Sequence, residues 1–128
     1  MQTHRLSFCT ITKIADDICE IVVDEGIEMD EGMVEEYHAF LLANLKAPFS
    51  LLINKENAYT YTFAAQKKLA MLDEINTMAV VVYSNISKLS TDTLAYSVPR
   101  ETPWNIRIFE ARDDALAWLE KNQQRVRY

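Results

Sequence analysis

Apolar and polar residues roughly alternate over residues 4–14, and after Asp16 and Asp17 a second run, 18–24, is rich in β-branched side chains. Alternation sends successive side chains to opposite faces of a strand, so these runs predict a β-hairpin with the aspartates at its turn. Gly26 then ends the edge of the sheet. From Asp30 the period changes. Val34, Tyr37, His38, Leu41 and Leu45 recur at helical spacing, Asp30 is a good N-cap, and Glu31 suits the positive end of the helix dipole. One amphipathic helix is predicted, ending before Pro48. Residues 49–54 form a short apolar run suited to a strand covered on both faces. Tyr61, Ala65, Leu69, Leu72 and Ile75 trace a second helix, and 78–83, the most hydrophobic run, predicts a central strand. Ile86, Leu89, Thr93 and Val98 mark a weaker third helix, broken by Pro99 and Pro103, which bracket a loop. Residues 105–109 alternate as an edge strand, with Ile106 and Ile108 on one side and Arg107 on the other. Asp113 and Asp114 suit the first turn of a last helix, whose Ala115, Leu116, Trp118 and Leu119 face the sheet, Trp118 as a buried anchor.

The predicted order is β-β-α-β-α-β-α-β-α. Strands joined through helices need right-handed crossovers and therefore pair in parallel. The fold class is α/β, with a mixed, mostly parallel sheet of about five strands flanked by helices and an antiparallel edge from the opening hairpin. No internal repeat or linker interrupts the chain, so residues 1–128 read as one domain. That length is the commonest for a domain, and 49% hydrophobic with 25% charged residues is the composition of a folded globule.

Charge and cysteines narrow the function classes. A net charge of −6 disfavours nucleic acid, whose phosphates are held by clustered Lys and Arg. Run 78–83 falls far short of the ~20 residues that cross a bilayer, and the amino terminus lacks a basic-then-apolar signal pattern. The expectation is a cytoplasmic protein with no membrane insertion. Cys9 and Cys19 lie in strand-like runs with no CxxC partner or histidine cluster, so they read as small core residues and not as zinc ligands. A Cys9–Cys19 disulfide across the hairpin is the alternative, which a reducing cytosol disfavours.

The element order, with Trp104-Asn105-Ile106-Arg107-Ile108-Phe109 leading into Asp113-Asp114-Ala115-Leu116-Ala117-Trp118-Leu119, resembles the SpoIIAA-like group of the STAS (sulfate transporter and anti-sigma factor antagonist) superfamily. As topology the resemblance spans nearly the whole chain; as residue motif it is concentrated in the last 16 or so positions of that stretch. It implies a regulatory module that acts by protein contact. In the antagonists, a Ser or Thr in an Asp-Ser-x-Gly-like turn between the third strand and second helix is phosphorylated and switches partner binding. Here the segment reads Asn54-Lys55-Glu56-Asn57-Ala58-Tyr59-Thr60-Tyr61-Thr62, with hydroxyls at Thr60 and Thr62 but neither the Asp nor the Gly. The resemblance therefore carries over the position of the surface and not the switch. Tyr59, Tyr61 and Phe63 are expected to crowd both threonines, and Thr60 or Thr62 to cap the second helix. The superfamily's relation in fold to part of the CRAL-TRIO lipid-carrier domain implies, as the alternative, binding of a lipid or other small apolar ligand.

Candidate chemistry is sparse. His38 is a lone helical histidine, more often packed or solvated than a base, and no GxSxG elbow or comparable nucleophile signature occurs. Gly26 and Gly32 make no phosphate cradle. Glu28, Asp30, Glu31, Glu35 and Glu36 are dense, but helical spacing spreads them, so they read as a solvated face and not a metal site. No catalytic residue and no cofactor is assigned. The unusual composition is at Tyr59, Tyr61 and Phe63 beside Thr60 and Thr62. Aromatics there commonly pack on a helix, yet ligands of open α/β sheets gather at the carboxyl ends of strands, where this segment lies. The sequence thus predicts a non-enzymatic module contacting a protein partner through Asn54, Asn57, Tyr59, Thr60, Tyr61, Thr62 and Phe63. Open sheet edges further predict a two-fold homodimer.

Overall fold

A computed structural model describes residues 2–69, 72–83 and 106–127. The chain opens with three antiparallel strands, β1 (Gln2–Arg5), β2 (Cys9–Ala15) and β3 (Ile18–Val23). The run read as one strand is therefore two. The Leu6 N–H donates to the Cys9 carbonyl at 2.9 Å, closing a turn that tucks Phe8 into the core. Alternation persists through that turn, so the pattern does not betray the reversal.

After Gly26, at φ 78° and hence in a region that favours glycine, a two-residue strand β4 (Glu28–Met29) leads into α1 (Glu31–Asn44). Asp30 caps α1 as expected, accepting from the Met33 N–H at 2.9 Å. Next come β5 (Phe49–Asn54), β6 (Thr60–Tyr61), α2 (Phe63–Leu69), β7 (Ile75–Val81), β8 (Ile106–Phe109) and α3 (Arg112–Gln124). The second helix is shorter than its apolar stripe implied, because Tyr61 belongs to β6 and Ile75 opens β7. The weaker third helix and its proline loop lie outside the described residues.

The described strands form a six-stranded sheet in the order β1-β2-β3-β5-β7-β8, one strand more than expected, while β4 and β6 pair separately in parallel. The pairs from β3 onward are parallel, so the sheet is mixed as predicted. β7 lies beside the edge strand β8 and not at the centre, which β3 and β5 occupy. On one face Cys9, Ile11, Ile21, Leu51 and Phe49 pack against Val34, Tyr37 and Leu41 of α1 and Leu69 of α2. On the other, Ile18, Leu52, Ala79 and Val81 meet Ala115 and Leu119 of α3.

Trp118 is half-buried, its ring 5.6 Å from that of Phe109, so it lines the rim of this second layer and does not anchor its centre. The centre is polar. Gln123 is fully buried; its Oε1 accepts from Ser50 Oγ at 2.5 Å and Asn76 Nδ2 at 2.9 Å, and its Nε2 donates to Asp17 Oδ2 at 2.9 Å and the Pro48 carbonyl at 3.0 Å. Cys9 and Cys19 are free and buried; they face Val23 and Lys13 across the ladder and not each other. Burial pushes the Cys9 thiol up to about 12 and raises Cys19 as well, so both stay protonated.

Candidate binding surface at the carboxyl ends of the parallel strands

Segment 54–63 begins where β5 leaves the sheet and ends at the start of α2. Its backbone is pinned at successive points. The Lys55 N–H donates to Val81 O at 2.9 Å, and Asn57 Nδ2 to Val23 O at 3.0 Å. The Ala58 N–H donates to Glu25 Oε2 at 2.8 Å, while the Ala58 carbonyl accepts from the Gly26 N–H at 2.7 Å. The Thr60 and Thr62 amides donate to Ile27 O and Met29 O, both at 2.9 Å.

The seven residues singled out in the sequence do not share one role. Asn54 is buried, donating to Glu20 Oε2 at 2.9 Å and accepting from the Tyr83 hydroxyl at 3.0 Å. Glu20 also receives a two-pronged contact from Arg112, at 2.7 and 3.0 Å. Burial acts to raise the Glu20 pKa, but the bonds from Arg112 and Asn54 outweigh it and leave the carboxylate below its ordinary value. Asn54 thus ties β3, β5 and α3 together on the α3 side.

Tyr59 and Tyr61 turn inward, half-buried, and the Tyr61 hydroxyl donates to that of Tyr59 at 3.3 Å. With Phe8, Met29, Tyr37 and Met78 they wall a cavity of about 40 Å³ on the α1 side of the sheet. Burial raises the pKa of all three tyrosines, so their hydroxyls stay protonated. Asn57 is a backbone brace.

Thr60 and Phe63 face outward, Phe63 with 72% of its surface exposed and Lys67 Nζ lying 4.8 Å from its ring centroid. Thr62 is the helix cap, its Oγ1 accepting from the Ala65 N–H at 3.1 Å. The expected crowding of both threonines by all three aromatics does not occur. The alternation of side chains along β6 sends the tyrosines in and leaves Thr60 exposed. His38 is half-buried, and burial lowers its pKa to about 4, so it is neutral. The acidic residues serve apart from one another: Asp30 caps α1, Glu35 pairs with Lys68 at 2.8 Å, and Glu36 accepts from Ser7. Lys55 was missed in the sequence. Only the fold shows it buried, with Nζ 5.0 and 5.5 Å from the ring centroids of Tyr59 and Tyr61.

Antiparallel strands running into a parallel sheet, with helices on both faces and a pinned segment after β5, define a SpoIIAA-like fold. An uncharacterized protein of the DUF3478 family with a SpoIIAA-like fold, from Shewanella loihica PV-4, is similar, with a TM-score of 0.57 and 21% identity over 87% of this chain and 91% of that one. The anti-sigma factor antagonist SpoIIAA in its unphosphorylated form aligns over 92% of this chain and 96% of that one at a TM-score of 0.43 and 12% identity, too distant to carry any residue across. No protein-family model matches the chain, and no curated protein matches it. No helix of the described residues is long and apolar enough to cross a membrane.

Proposed function

We propose that the protein is a non-enzymatic interaction module, working in the cytoplasm through protein contact, with segment 54–63 as its docking element. The observation that carries this reading is Phe63, an exposed aromatic at the end of a backbone held at successive points. Aromatic anchors on pre-organised backbone supply much of the energy of protein interfaces, because little freedom is lost on docking. Thr60 lies on the same outward side. The missing Asp and Gly of the phospho-turn support partner binding without phosphate control. Self-association belongs to the same reading: among the described residues β1 and β8 each leave one edge unpaired, and a two-fold dimer covers one.

A photo-crosslinking residue at position 63, introduced in the native cell, tests the docking element against the same residue at exposed Ala43 on α1. A discrete protein adduct from position 63 and none from position 43 is expected, lost in a competing Thr60→Arg background. Equal labelling from both positions refutes the assignment. Light scattering reads the dimer directly; a mass of 14.8 kDa at high micromolar concentration removes it.

A further inference from the structure

β1 is paired with β2 along one side and, among the described residues, open along the other. Which of its backbone groups lie open follows from the ladder. The Leu6 N–H donates to the Cys9 carbonyl at 2.9 Å, so these two residues are a hydrogen-bonded pair, and in an antiparallel ladder such pairs alternate with pairs that exchange no bond. Along the register, His4 opposite Ile11 and Gln2 opposite Lys13 are then bonded pairs, whereas Arg5 opposite Thr10 and Thr3 opposite Thr12 are not. The side chains agree, since unbonded pairs lie closer: Thr3 Oγ1 is 3.3 Å from Thr12 Oγ1, and Arg5 Nη1 donates to Thr10 Oγ1 at 3.2 Å. The N–H and C=O groups of Thr3 and Arg5 therefore point away from β2. Nothing blunts this edge. β1 holds no proline, lysine or bulge, and its arginine is already matched by Asp24, to which Nη1 donates at 2.7 Å.

We propose that β1 pairs antiparallel with β1 of a second copy, about a two-fold axis that passes through the sheet at His4. Backbone parity sets the register. Only residues with outward groups can bond one another, which leaves two-fold arrangements centred on Thr3, His4 or Arg5. Centring on Arg5 sets two like charges directly opposite, and centring on Thr3 leaves Arg5 without a partner inside β1. Centring on His4 sets Thr3 against Arg5 of the other copy. The Thr3 N–H then donates to the Arg5 carbonyl and the Arg5 N–H to the Thr3 carbonyl, each bond made twice by symmetry. The two His4 side chains meet at the axis as an unbonded pair, on the α1 face of the sheet, where the His4 ring lies 5.1 Å from that of the partly buried Phe40. Histidine and phenylalanine rings from both copies thus add apolar contact to the backbone bonds. Charge suits self-pairing as well: a chain of net charge −6 meets its copy along a strand with no acidic residue. This inference rests on the self-association proposed above and names its edge, register and axis.

Oxidative cross-linking of the full chain tests the register. Across an unbonded antiparallel pair the Cα atoms lie about 4.5 Å apart, within the roughly 4.4 to 6.8 Å that a disulfide spans. His4→Cys is expected to give a linked dimer under mild oxidation, and Thr3→Cys and Arg5→Cys at least tenfold less of it; the native Cys9 and Cys19 are buried and stay out of the reaction. Hydrogen exchange on the unaltered protein gives a reading independent of any variant. The Thr3 and Arg5 amides are expected to slow at least tenfold from low to high micromolar concentration, while those of the opposite edge strand, β8, keep their rates. Thr3→Pro removes an N–H that β2 does not use, and is expected to lower the light-scattering mass from near twice 14.8 kDa to 14.8 kDa. A dimer whose Thr3 and Arg5 exchange ignores concentration, or one that links better through Thr3→Cys or Arg5→Cys, overturns this assignment and leaves self-association to another surface or register. A parent chain that stays monomeric overturns both.

Discussion

Replacing Lys55 with methionine is expected to make the protein more stable, the reverse of what loss of a packed, structurally useful side chain does. Methionine matches the lysine stem in length and fills the space over Tyr59 and Tyr61 without a charge to desolvate. The lysine pKa falls from 10.5 to about 8 on folding, which at about 1.4 kcal/mol per pH unit is a penalty of roughly 3 kcal/mol on the charged form. The ring faces return about 1 kcal/mol. A net gain of about 2 kcal/mol remains, equivalent at this chain length to roughly 6 to 10 °C in melting temperature. The sign with pH follows from the depressed folded-state value. Below pH 8 folded and unfolded chains both carry the proton, and the penalty is complete. Between 8 and 10.5 the folded protein releases its proton while the unfolded chain keeps it, so stability attributable to this group rises. Urea unfolding of both proteins from pH 7 to pH 10.5 reads the difference, in which the titrations of the cysteines and tyrosines cancel. The advantage of Lys55→Met should shrink across that window and vanish near its upper end. A variant less stable than the parent at pH 7, or a pH-independent gap, refutes the reasoning.

Gln123→Leu should cost about 2 to 4 kcal/mol in chemical denaturation, because the Pro48 carbonyl loses its side-chain donor, Asn76 keeps only a 3.4 Å bond to the Asn122 carbonyl, and the buried Ser50 hydroxyl keeps only Thr77; a loss under about 1 kcal/mol shows the hub is dispensable. Trp118→Ala should lower stability by about 2 kcal/mol, less than the ~3 to 5 of a fully buried tryptophan, and a scanning-calorimetry change inside that higher range would place the ring deeper than it lies here. Thr62→Ala should cost about 1 kcal/mol through loss of the α2 cap, with Thr62→Ser restoring most of it; circular-dichroism melts distinguish the two, and an effect absent from Thr62→Ala rules out the cap.

Much of this architecture is written in local patterns. Asp30, Val34, Tyr37 and Leu41 announce α1 because a cap and an apolar stripe are local signals, and the β-branched run before Asp24 announces β3 for the same reason. The errors have a common physical source. At Leu6 to Phe8 the alternation runs unbroken through a chain reversal, and at Tyr61 a residue in strand happens to keep helical spacing with Ala65. Burial of polar groups was the least legible property. Gln123 sits among charged and amide side chains, Glu120, Lys121, Asn122 and Gln124, and reads as solvated, but its four partners come from the β2–β3 turn, the chain around β5 and the start of β7. Lys55 was invisible likewise, since its environment depends on two tyrosines that a polar turn folds back over it. Segment 54–63 was placed at the strand ends by the rule that open sheets carry their surfaces there, whereas which of its side chains point out needed the pairing of β6.

That pairing has a mechanical consequence. Because Thr60 and Tyr61 are laddered to Glu28 and Met29, the amides just before α2 hang from the carbonyls just before α1, and the two helices begin from a common yoke. A load applied at Phe63 reaches Thr62, crosses to Met29 and arrives at Asp30, the residue that starts α1, without passing through the large sheet. Occupancy of the outer surface should therefore slow hydrogen exchange at the Met33 and Val34 amides in step with those of Thr60 and Thr62, so that one point of contact stiffens the whole helical layer while α3, on the far side of the sheet, registers nothing.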